Sequence, residues 1–177
     1  MISKIKRLIL LVIIITLTIP NIAYAEHPIL TVPIGPRVED LQNKEDILNN
    51  FERIRLIREN LTVIDIREDS TNEELQSTDS QIQTYIQQIR EVQSMLQQHK
   101  VTYADSIPDL FFSELIISIA NSYVISLTEQ QVLIRELQNN IDEAKKLVYS
   151  GYEVRIYYYI TVGDDTMSYV LTYFTVA

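Results

Sequence analysis

The sequence predicts an α+β protein, mainly α: an antiparallel bundle of about three long helices with coiled-coil-like seams, followed by a C-terminal β-hairpin. Three observations predict it. Apolar residues recur every three or four positions through most of 38–150, glycine occurs only 3 times in 177 residues, and the last stretch, VRIYYYITVGDDTMSYVLTYFTVA, sets two β-branched and aromatic runs on either side of GDD. Helical spacing, scarce chain breakers and local β-propensity are the signals from which element type is read.

Residues 1–25 have the form of a secretory signal peptide. Lys4, Lys6 and Arg7 precede an apolar run over 8–19, and Pro20 breaks that run ahead of the small-residue site at Ala23 and Ala25, after which cleavage is expected. An apolar run of 12 residues is too short for a spanning helix, which needs ~20. No stable transmembrane span is therefore expected after cleavage, and the predicted destination is secretion or the cell envelope. The chain has no cysteine, which excludes disulfides and lipid attachment at a cysteine, so the fold rests on packing alone. Beyond residue 25 there are 12 basic residues against 24 acidic ones. Such a surface offers no footprint for nucleic acid or for anionic headgroups.

Residues 26–37, EHPILTVPIGPR, hold 3 prolines and a glycine and read as an extended arm, with 29–34 as an alternative edge strand. The bundle occupies 38–150. Its first helix runs from Val38 to Asn60 on the stripe Ile47, Phe51, Ile54, Ile57, Leu61 and Ile64, although 61–66 is β-branched enough to form a strand. In the polar connection 67–74, Ser70 or Thr71 can cap the second helix ahead of Glu73 and Glu74. That helix carries Leu75, Ile82, Ile89 and Leu96 at heptad spacing, with Thr78, Tyr85, Val92 and His99 between them and 8 glutamines over 76–98. KVTYADSIPD breaks it, and Ser106, Pro108 and Asp109 form the next start. From there Ile116, Ala120, Tyr123, Leu127, Gln130, Ile134, Leu137, Ile141, Ala144 and Val148 keep an unbroken alternation of four and three, which predicts one helix over 109–149 ended by Gly151. The seam residues are thus Leu75, Ile82, Ile89 and Leu96 on one helix and Leu127, Ile134, Ile141 and Val148 on the other, laid antiparallel by a short connection.

The hairpin is expected over 151–177. Val154, Ile156, Tyr158, Ile160 and Val162 share one face, and an even-numbered loop around Asp164 adds Met167, Tyr169, Leu171 and Tyr173 to it. A lone hairpin is marginal in water, so this face is expected to be covered by the helices. The opposite face carries Tyr157, Tyr159 and Phe174, which with the unprotected strand edges form the candidate interaction face.

No metal site or cofactor is expected. His27 and His99 lie on different elements, and the carboxylates over 65–74 lack the spacing and turn glycine of a calcium loop. Asp164 and Asp165 read as turn residues. No serine occupies a nucleophile-elbow motif. The expected function is therefore non-enzymatic, through contact with a protein partner or through self-association, with no nucleic acid involved. The alternative is a membrane-active or pore-forming component, because 110–127 is the most apolar stretch beyond the signal. A third reading is an extracytoplasmic enzyme without a recognisable motif.

Overall fold

A computed structural model describes residues 35–61, 66–67, 69–139 and 142–175. The signal segment with Ala23 and Ala25, the arm over 26–34, Ile64 and Ile141 lie outside the described residues. Within them, a 3-10 turn at Val38–Asp40 precedes four helices: α1 (Lys44–Asn60), α2 (Asn72–Thr102), α3 (Ile107–Asn139) and α4 (Asp142–Thr175).

The starts of α1, α2 and α3 each have a local cause. Asn43 caps α1 by accepting from the Asp46 N–H at 3.2 Å, and Glu45 and Asp46 add negative charge to the first turn. Thr71 and Glu74 form a reciprocal capping box on α2, with the Glu74 N–H donating to Thr71 at 3.3 Å and the Thr71 N–H donating to Glu74 at 2.7 Å. Pro108 sits in the first turn of α3, where its missing N–H costs nothing. The Ser106 hydroxyl, just before that turn, accepts from the Asp109 N–H at 3.4 Å.

Neighbouring helices run antiparallel. Gln93 bonds Asn121 and Gln131 bonds Asp79, pairing late α2 with early α3 and early α2 with late α3. Tyr123 meets Asp164, and Ser126 donates to the Ile156 carbonyl at 3.0 Å, which sets α3 against α4 in the same way. The first helix, α1, packs against α2 and α3, through Asp46 to His99 and through Asn43 to Asp109, and reaches α4 through side chains such as Phe51 on Phe174, whose ring centroids are 4.9 Å apart. The result is an up-down-up-down four-helix bundle. Its core joins Ile47, Phe51, Ile54 and Ile57 of α1 to the α2 and α3 stripes and to Ile156, Met167, Val170 and Tyr173 of α4. All these buried core residues lie within 35–175.

Two expectations are corrected here. The first is the fold class: no strand occurs among the described residues, and the segment read as a β-hairpin is part of α4. Its sequence carries a second period that alternation by two conceals. Ile156, Ile160, Gly163, Met167, Val170 and Phe174 are spaced four, three, four, three and four apart, and they turn toward the other helices. Val154 and Tyr158, assigned by the hairpin reading to a covered face, are instead 71% and 62% exposed. The β-propensity of Val, Ile and Tyr depends on context, and packing of Ile156, Met167, Val170 and Tyr173 into the helical core overrides it.

The second is the number of helices. The predicted helix over 109–149 ends at Asn139, and a new one starts at Asp142, running through Gly151 rather than stopping there. The unbroken phase misled because it is also kept across a break between two helices when the connection is of suitable length, so it does not distinguish one helix from two. The start of the first helix also moves, from Val38 to Lys44, with the 3-10 turn between them.

Candidate functional site

Leu75, Ile82, Ile89 and Leu96 are buried on α2, and Leu127 and Ile134 are buried on α3. Val148 lies on α4 rather than in a continuation of α3. The buried side chains of α2 and α3 make the apolar seams. The polar chemistry of the interior is concentrated in two clusters that join helices.

The first cluster centres on His99, in the last turn of α2. Its Nδ1 faces Asp46 of α1 at 2.5 Å and its Nε2 faces Asp109 of α3 at 2.8 Å. Asp109 also accepts from the Gln42 N–H at 2.9 Å, the Asn43 N–H at 3.3 Å and the Ser106 hydroxyl. Burial would raise the pKa of Asp109, but the bonds from Ser106, Gln42, His99 and Asn43 outweigh it and hold the carboxyl below its ordinary value. Serine, histidine and aspartate meet here without the order of a nucleophilic triad. The Ser106 hydroxyl bonds Asp109 rather than the imidazole, and both ring nitrogens already face carboxylates. Those carboxylates approach opposite sides of one ring, and among the described residues no group of three His, Asp or Glu side chains is arranged to hold a metal ion. The geometry suits a structural joint that ties the start of α1 and the start of α3 to the end of α2.

The second cluster lies one helix-length along α1. The Arg58 guanidinium donates to both oxygens of Asp164, at 2.7 and 2.8 Å, and the Tyr123 hydroxyl donates to one of them at 2.8 Å. Burial alone would raise Asp164, but Arg58 and Tyr123 hold it below its ordinary value. Burial, then the bond to Asp164, pushes the Tyr123 phenol well up. Asp164 is therefore a helical ion-pair partner and not a turn residue. Gly163 makes room for this arrangement: a Cβ there would lie 2.4 Å from the Tyr123 ring.

The three residues of the candidate interaction face are not brought together. Tyr157 is exposed, Tyr159 is half-buried with its ring edge-on to Tyr158 at 5.2 Å, and Phe174 packs against Phe51 and Phe112 in the core. A helix puts residues 157 and 174 about 25 Å apart along its axis, at 1.5 Å per residue. What α4 does present outward is Val154, Tyr157 and Tyr158, at the i, i+3, i+4 spacing of one helical face. Arg155 lies over the Tyr152 ring at 4.3 Å beside them. Between α2 and α3 runs an open groove lined by Gln83, Gln87, Arg90, Ser94, Thr128 and Gln131, in which Gln83 and Gln87 of α2 face solvent.

Sequence reasoning missed both polar clusters. A signal for the first was present, since His99 occupies a seam position and a titratable side chain in a seam needs partners. Comparison with protein-family models, with curated proteins and with solved structures returned no match.

Proposed function

We propose that this is an exported, non-enzymatic helical bundle that works by protein–protein contact at the cell envelope or outside the cell, through the outer stripe of α4. The observation that carries the proposal is the exposure of Val154, Tyr157 and Tyr158, at 71%, 43% and 62%, on one helical face. Aromatic side chains gathered on an open surface are the usual anchors of an interface, because each buries much area at little entropic cost. Export is supported by the form of residues 1–25. A non-catalytic role is supported by the way the polar groups of both clusters are spent on each other.

The test is a Tyr157→Ser, Tyr158→Ser double variant of the chain without residues 1–25. Its molar mass in solution and its binding to envelope proteins should drop relative to the parent while helical circular dichroism stays unchanged. Equal association with equal helicity would remove this stripe as the contact surface.

A membrane-active role is the second reading, favoured by one observation: α3 is long and apolar enough to cross a membrane. Against it, more than half of the most apolar window of α3 is buried inside the bundle, as in the core helix of a soluble protein. Dye release from liposomes by the same chain would support it.

A further inference from the structure

We infer that the joint at His99 is a proton latch: the buried imidazole is held as a cation between Asp46 and Asp109, and it ties α1 and α3 to the end of α2 while that proton stays in place. The two ring nitrogens carry the inference. Nδ1 lies 2.5 Å from Asp46 Oδ2, and Nε2 lies 2.8 Å from Asp109 Oδ1. A neutral imidazole has one N–H and one lone pair, so it would satisfy one carboxylate and turn its lone pair on the other. Both nitrogens donate together in the imidazolium alone.

The surroundings leave the proton to the ring. The side chains of His99 and Asp109 are both 0% exposed. Each Asp109 oxygen already meets two donors: Oδ1 the Asn43 N–H and the ring, Oδ2 the Gln42 N–H and the Ser106 hydroxyl. Asp109 is thus an anion shut away from water, and a buried anion is costly without a cation bonded to it. Lys100, next to His99 in the chain, points instead to Glu114, so the imidazolium is that cation. From α1, Asp46 Oδ1 accepts from the Asn50 amide at 3.2 Å, which leaves Oδ2 for the ring. On α2 itself the Tyr103 ring lies 4.6 Å from the imidazole, and its hydroxyl accepts from Asn43. At this end α4 packs Tyr173 and Phe174 on Phe112 of α3.

Proton linkage gives the direction of the response. In the unfolded chain an imidazole is neutral above about pH 6.5, so folding with the cation in place takes up a proton. Stability from the latch is therefore full below that pH and is lost as pH rises. Once the proton leaves, the Nδ1 lone pair faces Asp46 and pushes the start of α1 away.

Nitrogen-15 NMR of chain 26–177 reads the proton directly. The chain has 2 histidines, so His27→Gln leaves His99 as the single imidazole. At about pH 8, both of its ring nitrogens should carry a bonded proton; one bare ring nitrogen would overturn the inference. Adding Asp46→Asn should remove the second proton at the same pH, because the new amide can donate to Nδ1 of a neutral ring. Urea denaturation supplies the independent arm. In the parent the folded-to-unfolded ratio should fall by up to about tenfold per pH unit between about pH 7 and 9, and Asp46→Asn should flatten that slope. If Asp46→Asn loses helicity, His99→Gln takes its place in the urea comparison. A flat parent, or a slope unchanged in the variant, would overturn the latch.

Discussion

Gly163 and Gly151 sit in the same helix for different reasons. A Cβ at Gly163 would meet the Tyr123 ring at 2.4 and 2.9 Å, whereas one at Gly151 would meet nothing within 4 Å. Gly151→Ala should therefore gain about 1 kcal/mol from helix propensity. Gly163→Ala should lose about 1–3 kcal/mol, since the ring is packed on all sides and overpacking exceeds the propensity gain. Urea denaturation of the two variants checks the opposite signs. At this scale the sequence is legible where a side chain has one use. Leu75, Ile82, Ile89, Leu96, Leu127 and Ile134 were read as seam from spacing and are buried. It is poorly legible where use depends on a distant partner. Asp164 takes its role from Arg58, 106 residues away, and GDD read locally says turn.

At the scale of elements, α2 was readable because its apolar period and its cap agree, and Thr71 with Glu74 marks the start that the sequence suggested. In α4 the local signals conflict: β-branched and aromatic propensity points to strands, while the 4-3 spacing from Ile156 to Phe174 points to a helix. Packing settled it, and the glycine at a seam position hid the heptads by leaving no apolar side chain there. Because α4 is a core helix and not an appended hairpin, removing 142–175 should cost far more than its own helical signal. It strips Ile156, Met167, Val170 and Tyr173 from the core and leaves Phe112 and Tyr123 uncovered. Circular dichroism of chain 26–141 should show loss of cooperative unfolding, and a sharp transition in that fragment would show that the core does not need α4.

At the scale of the molecule, acid is the condition that reaches both joints at once. Asp109 and Asp164 are held below their ordinary values in the folded chain. A carboxylate depressed in this way contributes stability above its unfolded pKa, near 3.9 by the usual reference, and loses that contribution as pH falls through its lower folded value. The urea midpoint should thus change little from these two groups between neutrality and about pH 5, then fall below about pH 4. Asp164→Asn should be less stable at neutral pH and show a shallower acid limb; an unchanged limb would mean that this carboxyl is not coupled to folding. Each helix of the bundle packs against the next one in the chain, so most of its core assembles from near neighbours and little loop entropy stands in the way. The joints that span the most chain are those between α1 and α4, Phe51 with Phe174 and Arg58 with Asp164. Loop closure predicts that they form last, so α1 should be the first helix to lift as the protein unfolds, and earlier amide hydrogen exchange over 44–60 than over α2, α3 and α4 checks it.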